Sequence, residues 1–200
     1  VTSQATNRFE AEIKKFEEAD RQNPPLQGAV LLIGSSSIRL WKDLDKAFLS
    51  VKVINRGFGG SQIEDSTCFA ERIVIPCRPR MIVLYSGDND LASGKTPERV
   101  FSDYKQFVAK VRQHLGDVRI AYISIKPSIA RWHLTDQIKA ANHKIRDFAS
   151  KNKNLDFIDI FPAMLGADGR PRAELYVRDG LHMTEEGYAL WRSSVAPCLK

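Results

Sequence analysis

Apolar positions along the chain recur with two periods, and their alternation predicts the architecture. Phe9, Ile13 and Phe16 share one face of an opening helix, which the run Asn23-Pro24-Pro25 ends. From there, short apolar runs alternate with helical stretches. Residues 29–33 read as a first strand and 37–48 as its helix; 51–54 is a second strand, followed by a helix near 62–75; 81–85 is a third strand. Thr96-Pro97 supplies an N-cap and a first-turn proline to a helix striped by Val100, Tyr104, Val108, Val111 and Leu115. Residues 118–125 form a fourth strand, and Leu134, Ile138, Ala141, Ile145 and Phe148 stripe the next helix. A fifth strand covers 155–161, and a turn-rich connection through Asp168-Gly169 leads to a last helix opened by Thr184, with Glu185 and Glu186 in its first turn.

Strands alternating with helices call for a mostly parallel sheet covered on both faces, because right-handed crossovers place the helices there. The expected fold is therefore α/β: a three-layer sandwich around a five-stranded parallel sheet of order 2-1-3-4-5. No repeat, low-complexity tract or second domain interrupts residues 1–200, which read as one domain. At 43% hydrophobic and 27% charged residues, a chain of this length buries about two-thirds or more of its unfolded surface without help from a metal or disulfide.

Charge and cysteine content narrow the classes. Thirty Lys+Arg against 24 Asp+Glu give a net charge of +6. The basic residues are scattered rather than gathered into an arm, so an anionic substrate is allowed but nucleic acid is not an expected partner. The apolar runs fall far short of the roughly 20 residues of a membrane-spanning helix. Cys68 and Cys77, placed on one helix, would lie about 13 Å apart, too far for a bridge, so with Cys198 they read as buried free thiols. The chain begins at Val1 rather than Met, as it would after loss of a targeting peptide or after artificial trimming, which leaves location open. A periplasmic or secreted location is the expectation from the first of these; oligomeric state stays open.

In open parallel sheets, ligands bind outside the carboxyl ends of the strands, and four polar segments fall there. They are Gly34-Ser35-Ser36-Ser37 after strand one, Asn55-Arg56-Gly57-Phe58-Gly59-Gly60-Ser61 after strand two, Ser86-Gly87-Asp88-Asn89-Asp90 after strand three, and Asp179-Gly180-Leu181-His182 beyond strand five. Each has a modest explanation alone: serines cap helices, glycines relieve tight turns, Asn89 could stabilise a loop, and Asp179 could bond locally to His182. Coincidence on one rim is much harder to explain that way.

Gly34-Ser35-Ser36, Gly60, Gly87-Asp88-Asn89-Asp90 and Asp179-Gly180-Leu181-His182 resemble, in order, the four signature blocks of the SGNH/GDSL hydrolase superfamily. The resemblance spans about 150 residues. It implies a serine esterase without metal or cofactor, with Ser36 as nucleophile and His182 as base oriented by Asp179. The Ser36 and Gly60 backbone amides and the Asn89 side chain would form the oxyanion hole. The chain departs from the family at Ser35, where the first block usually has Asp. Ser35 and Ser37 are the fallback nucleophiles, and loss of a carboxylate beside a developing oxyanion need not impair the chemistry.

Of the other histidines, His114 and His143 read as surface residues. His133 lies in a rim loop after strand four, where Arg131, Trp132 and His133 are candidate substrate contacts. Substrates implied by the resemblance are small-molecule or glycan esters, a short acyl group being favoured because no long apolar lid is evident. A phosphate- or nucleotide-binding flavodoxin-like protein is the rival from another class, since Gly34 to Ser37 opens a helix. Gly94-Lys95-Thr96 mimics the end of a P-loop, but position 89 is Asn where that motif needs Gly. An α/β-hydrolase elbow fails because position 38 is Ile. A catalytically inactive carbohydrate-binding relative is the remaining alternative.

Overall fold

A computed structural model of the chain describes residues 3–42 and 44–200; Val1, Thr2 and Asp43, which lies inside the predicted 37–48 helix, fall outside the described residues. Five parallel strands, β1 (Val30–Gly34), β2 (Val53–Gly57), β3 (Met81–Tyr85), β4 (Arg119–Ile123) and β5 (Leu155–Ile158), make one sheet in the order β2-β1-β3-β4-β5. The helices are α1 (Ser3–Gln22), α2 (Ser36–Arg39), α3 (Leu44–Ala47), α4 (Ile63–Ile73), α5 (Asp88–Ala92), α6 (Pro97–Leu115), α7 (Thr135–Ser150) and α8 (Glu185–Val195).

The two-residue period of a strand sends successive side chains to opposite faces, and here both faces are apolar. Leu31, Ile33, Ile82, Leu84, Ile120 and Tyr122 point into a core closed by α1, α4, α6 and α7. Val30, Leu32, Met81, Val83, Tyr85, Ala121 and Ile123 point into a second core with Ile38, Trp41, Leu44, Trp191 and Val195 from α2, α3, α8 and the turn between α2 and α3. Each fully buried aliphatic side chain contributes about 1.5–3 kcal/mol relative to exposure, so two such faces hold the sheet without a disulfide. Cys68, Cys77 and Cys198 are free, and of the three only Cys77 is fully buried.

Capping at α6 and α8 follows the sequence reading: the Thr96 hydroxyl accepts from the Arg99 amide and the Thr184 hydroxyl from the Gly187 amide. Strands four and five are shorter than read, ending at Ile123 and Ile158, and three further departures have a visible setting. The predicted 37–48 helix is broken: Ile38 O accepts the Trp41 amide at 3.1 Å in a closing turn, and side chains from other elements bond to the carbonyls there, Asn55 Nδ2 donating to Ile38 O at 2.8 Å and Tyr188 OH to Ser37 O at 3.0 Å. Strand β2 runs on through Asn55 and Arg56, polar residues read as loop. Arg56 can be buried there because its guanidinium meets Asp20 at 2.6 Å. Helix α4 stops at Ile73, and Cys77 sits in a following 3-10 turn that contains Pro76, not on the same helix as Cys68.

Among the described residues, no helix is long and apolar enough to cross a membrane, and no group of three or more His, Cys, Asp or Glu side chains could hold a metal ion.

Candidate active site

Three neighbouring strands deliver three loops to one rim. Gly34 ends β1 opposite Gly57 of β2 and Tyr85 of β3. The chain can turn there into Ser35 and Ser36 only because position 34 has no side chain: its φ is 142°, and a Cβ would lie 1.8 Å from the Tyr85 carbonyl oxygen. That carbonyl instead accepts the Ser35 amide at 3.1 Å, and Gly34 O accepts the Phe58 amide at 2.9 Å, tying all three strand ends together. Ser36 is then the first residue of α2.

His182 arrives from the other end of the sequence on a tight turn. Tyr176 and Met183 form an antiparallel bridge; the Val177 amide donates to His182 O and the Gly180 amide to Val177 O, both at 2.9 Å. Within this turn Asp179 Oδ1 accepts the amides of Leu181 at 2.8 Å and His182 at 2.9 Å, while its Oδ2 faces His182 Nδ1 at 2.5 Å. The far ring nitrogen, Nε2, lies 3.1 Å from Ser36 Oγ. Burial pulls the Asp179 pKa upward, but the hydrogen bonds from the His182 ring and the two amides outweigh it and bring the pKa down to about 2. A carboxylate can only accept, so the ring proton sits on Nδ1 and Nε2 is free to accept the serine hydroxyl.

Gly60 and Asn89 complete the rim. Gly60 has φ 78°, and a Cβ there would meet the Arg8 guanidinium at 2.9 Å; Arg39 packs in the same way against Gly59. Among the described residues, neither the Ser36 nor the Gly60 amide has a hydrogen-bond acceptor. Asn89, on α5, donates from Nδ2 to Ser61 O at 3.1 Å, which links its loop to the one bearing Gly60. Asp90, fully buried, reinforces that link by accepting the Ile63 amide at 3.2 Å and an ion pair from Lys95 at 3.3 Å. Burial pushes its pKa up to about 6.

The structure thus brings Ser36, His182 and Asp179 into one hydrogen-bonded chain and sets Gly60 and Asn89 on adjoining loops. Ser37, a fallback nucleophile, turns inward with its Oγ 3.3 Å from Lys126 Nζ, and Ser35 is fully buried. Of the three candidate substrate contacts, His133 is exposed and Trp132 lies under the Arg170 guanidinium, 5.7 Å from its ring centroid. Arg131 is turned inward to Asp88 and Asn89. Sequence reasoning missed Lys126 and Asp88. Lys126 is 2% exposed and touches Ser37 Oγ, Tyr85 OH at 3.1 Å and Asp88 Oδ2 at 3.3 Å. Its signal was faint, a lysine between Ile125 and Pro127 where strand four meets the rim.

The fold is a three-layer α/β sandwich with a candidate active site at the carboxyl ends of its strands. Residues 16–190 match the model of the GDSL-like lipase/acylhydrolase family, and the chain belongs to that family. Several solved structures are similar. A GDSL-like lipase from Bacteroides thetaiotaomicron superimposes with a TM-score of 0.79 at 18% identity, covering 94% of this chain and 97% of that one. A mutant acetyl esterase with an acetate ion gives 0.69 at 18% identity, covering 86% and 96%. A carbohydrate esterase family 3 structure from Talaromyces cellulolyticus gives 0.68, also at 18% identity and covering 86% and 96%. No curated protein sequence matches the chain significantly.

Proposed function

We propose that the protein is a serine esterase that hydrolyses short-chain acyl esters, acetyl esters foremost, through an acyl-enzyme on Ser36. The observation that carries this reading is the chain of contacts from Ser36 Oγ to His182 Nε2 at 3.1 Å and from His182 Nδ1 to Asp179 at 2.5 Å. A serine hydroxyl is a weak nucleophile until a base within hydrogen-bond reach takes its proton. His182 removes that proton as Oγ attacks the ester carbonyl, and Asp179 holds the ring tautomer and stabilises the imidazolium. His182 then protonates the leaving alcohol, the acyl group stays on Oγ, and a water deprotonated by the same ring hydrolyses it. The amides of Ser36 and Gly60 and the Asn89 carboxamide would meet the negative charge on the tetrahedral oxygen.

Membership of the acylhydrolase family and likeness to an acetyl esterase and a carbohydrate esterase support the esterase reading. Arg8 and Arg39, packed against Gly60 and Gly59, favour esters that carry an anionic group near the reacting carbonyl. The test is a series of esters with one alcohol and acetyl, butyryl or decanoyl groups, run beside acetate release from acetylated neutral and acidic glycans. The expected order of kcat/KM is acetyl, butyryl, decanoyl. A preference for decanoyl would overturn the short-acyl assignment, and absence of turnover on every ester would overturn the esterase reading.

A further inference from the structure

We propose that Arg131 is a positioning residue that fixes the Asn89 carboxamide as an oxyanion donor, with Asp88 and Lys126 as its buried anchor. This rests on the serine-esterase reading above and assigns Arg131 a role different from substrate contact. A carboxamide is nearly symmetrical in shape, so which end faces a reacting atom is decided by its hydrogen-bond partners. Arg131 Nη2 donates to Asn89 Oδ1 at 3.0 Å, and Asn89 Nδ2 donates to Ser61 O at 3.1 Å. A guanidinium has no acceptor and a carbonyl no donor, so the flipped amide would lose both bonds. One Nδ2 hydrogen is used on Ser61, next to Gly60, and the second remains for an oxyanion.

Arg131 is itself held. Its Nη1 makes an ion pair with Asp88 Oδ2 at 3.1 Å, and Lys126 Nζ meets the same oxygen at 3.3 Å. Asp88 Oδ1 accepts the Asn89 backbone amide at 3.0 Å, so one carboxylate organises both the main chain and, through Arg131, the side chain of Asn89. The three contacts of Lys126, to Ser37, Tyr85 and Asp88, match the three hydrogens of an ammonium and tie the same group to the residue after Ser36. The Arg131 side chain is 18% exposed. The loop that carries it is docked on the histidine turn, where the Ala130 amide donates to Gly180 O at 3.1 Å.

A purely structural role fits this group poorly. One buried and one partly buried cation against a single carboxylate are an expensive arrangement where apolar side chains of similar volume would serve stability as well or better. The surplus positive charge instead lies beside the loop expected to bind a developing anion, where it favours the transition state over the neutral ester.

The test is a double-mutant cycle on an activated acetate ester, with Asn89→Ala, Arg131→Met and the two combined, and melting temperatures recorded for each. Asn89→Ala is expected to lower kcat about 10²- to 10³-fold. Arg131→Met should lower kcat about 10- to 100-fold with little change in KM, and its effect should shrink to under about 3-fold in the Asn89→Ala background. Asp88→Asn, which keeps the shape and removes the charge, serves if Arg131→Met does not fold, and its kcat loss should likewise vanish without Asn89. Equal losses in both backgrounds, or a loss confined to KM, would overturn the proposal. Acylation of Ser36 in the unmodified protein is measured alongside: if it fails, the esterase reading falls as well, and if it succeeds while the cycle is additive, only the role of Arg131 falls.

Discussion

Ser36→Ala should lower kcat on acetyl esters by about 10⁶-fold while the protein keeps its melting temperature. Ser36 Oγ touches the His182 ring, and its side chain is not part of either apolar core, so its loss costs little packing. What disappears is the atom that forms the covalent bond in the proposed mechanism. The proposed donors on Gly60 and Asn89 and the proposed base His182 persist, so a residual rate above that in water is expected from those groups alone. Retention of more than about a hundredth of the wild-type rate would require another nucleophile, and Ser35 and Ser37, both buried, would be the wrong places to look.

The second large effect is expected at Asp179, where Asn should be worse than Ala. Asp179 Oδ1 receives two backbone amides, from Leu181 and His182. An asparagine at this position would therefore keep its oxygen at those amides and turn its NH2 toward His182 Nδ1. That moves the ring proton to Nε2, the nitrogen that must accept from Ser36, and the expected fall in kcat is on the order of 10⁴-fold. Asp179→Ala leaves the tautomer free and should lose less. Parallel kinetics of the two variants decide this, and a loss under tenfold in Asp179→Asn would show that the carboxylate does not set the tautomer. The pH dependence follows from the same carboxylate. Its pKa is lowered to about 2 in the fold, so its contribution to stability is present above the ordinary aspartate range and is lost as pH falls through the folded value. With the Asp179 side chain 47% exposed, solvent screening keeps that contribution small. Loss of activity through protonation of this carboxylate should accordingly appear in kcat/KM only as pH falls toward about 2.

Much of this arrangement could be read from residue order. Strand β3 lies where its apolar run places it, and the caps at Thr96 and Thr184 act as read, because hydrophobic period and capping chemistry are local properties. The rim followed from the strands, since a parallel sheet gathers the carboxyl ends of its strands on one side. The break between α2 and α3 could not be read, because the partners at it, Asn55 and Tyr188, are distant in sequence. Arg56 misled for a similar reason: its burial depends on Asp20, 36 residues earlier. The Lys126–Asp88–Arg131 group was hidden because a polar residue in a rim loop looks the same whether it faces solvent or a buried partner. Only the packing of three loops distinguishes them.

Reaction with a fluorophosphonate, followed by intact-mass and peptide mass spectrometry, tests the central claim most directly. The predicted result is a single adduct on the peptide carrying residues 34–40, located to Ser36, absent in Ser36→Ala and formed far more slowly in His182→Ala. An adduct on a different residue, or none while ester hydrolysis continues at its full rate, would contradict the account.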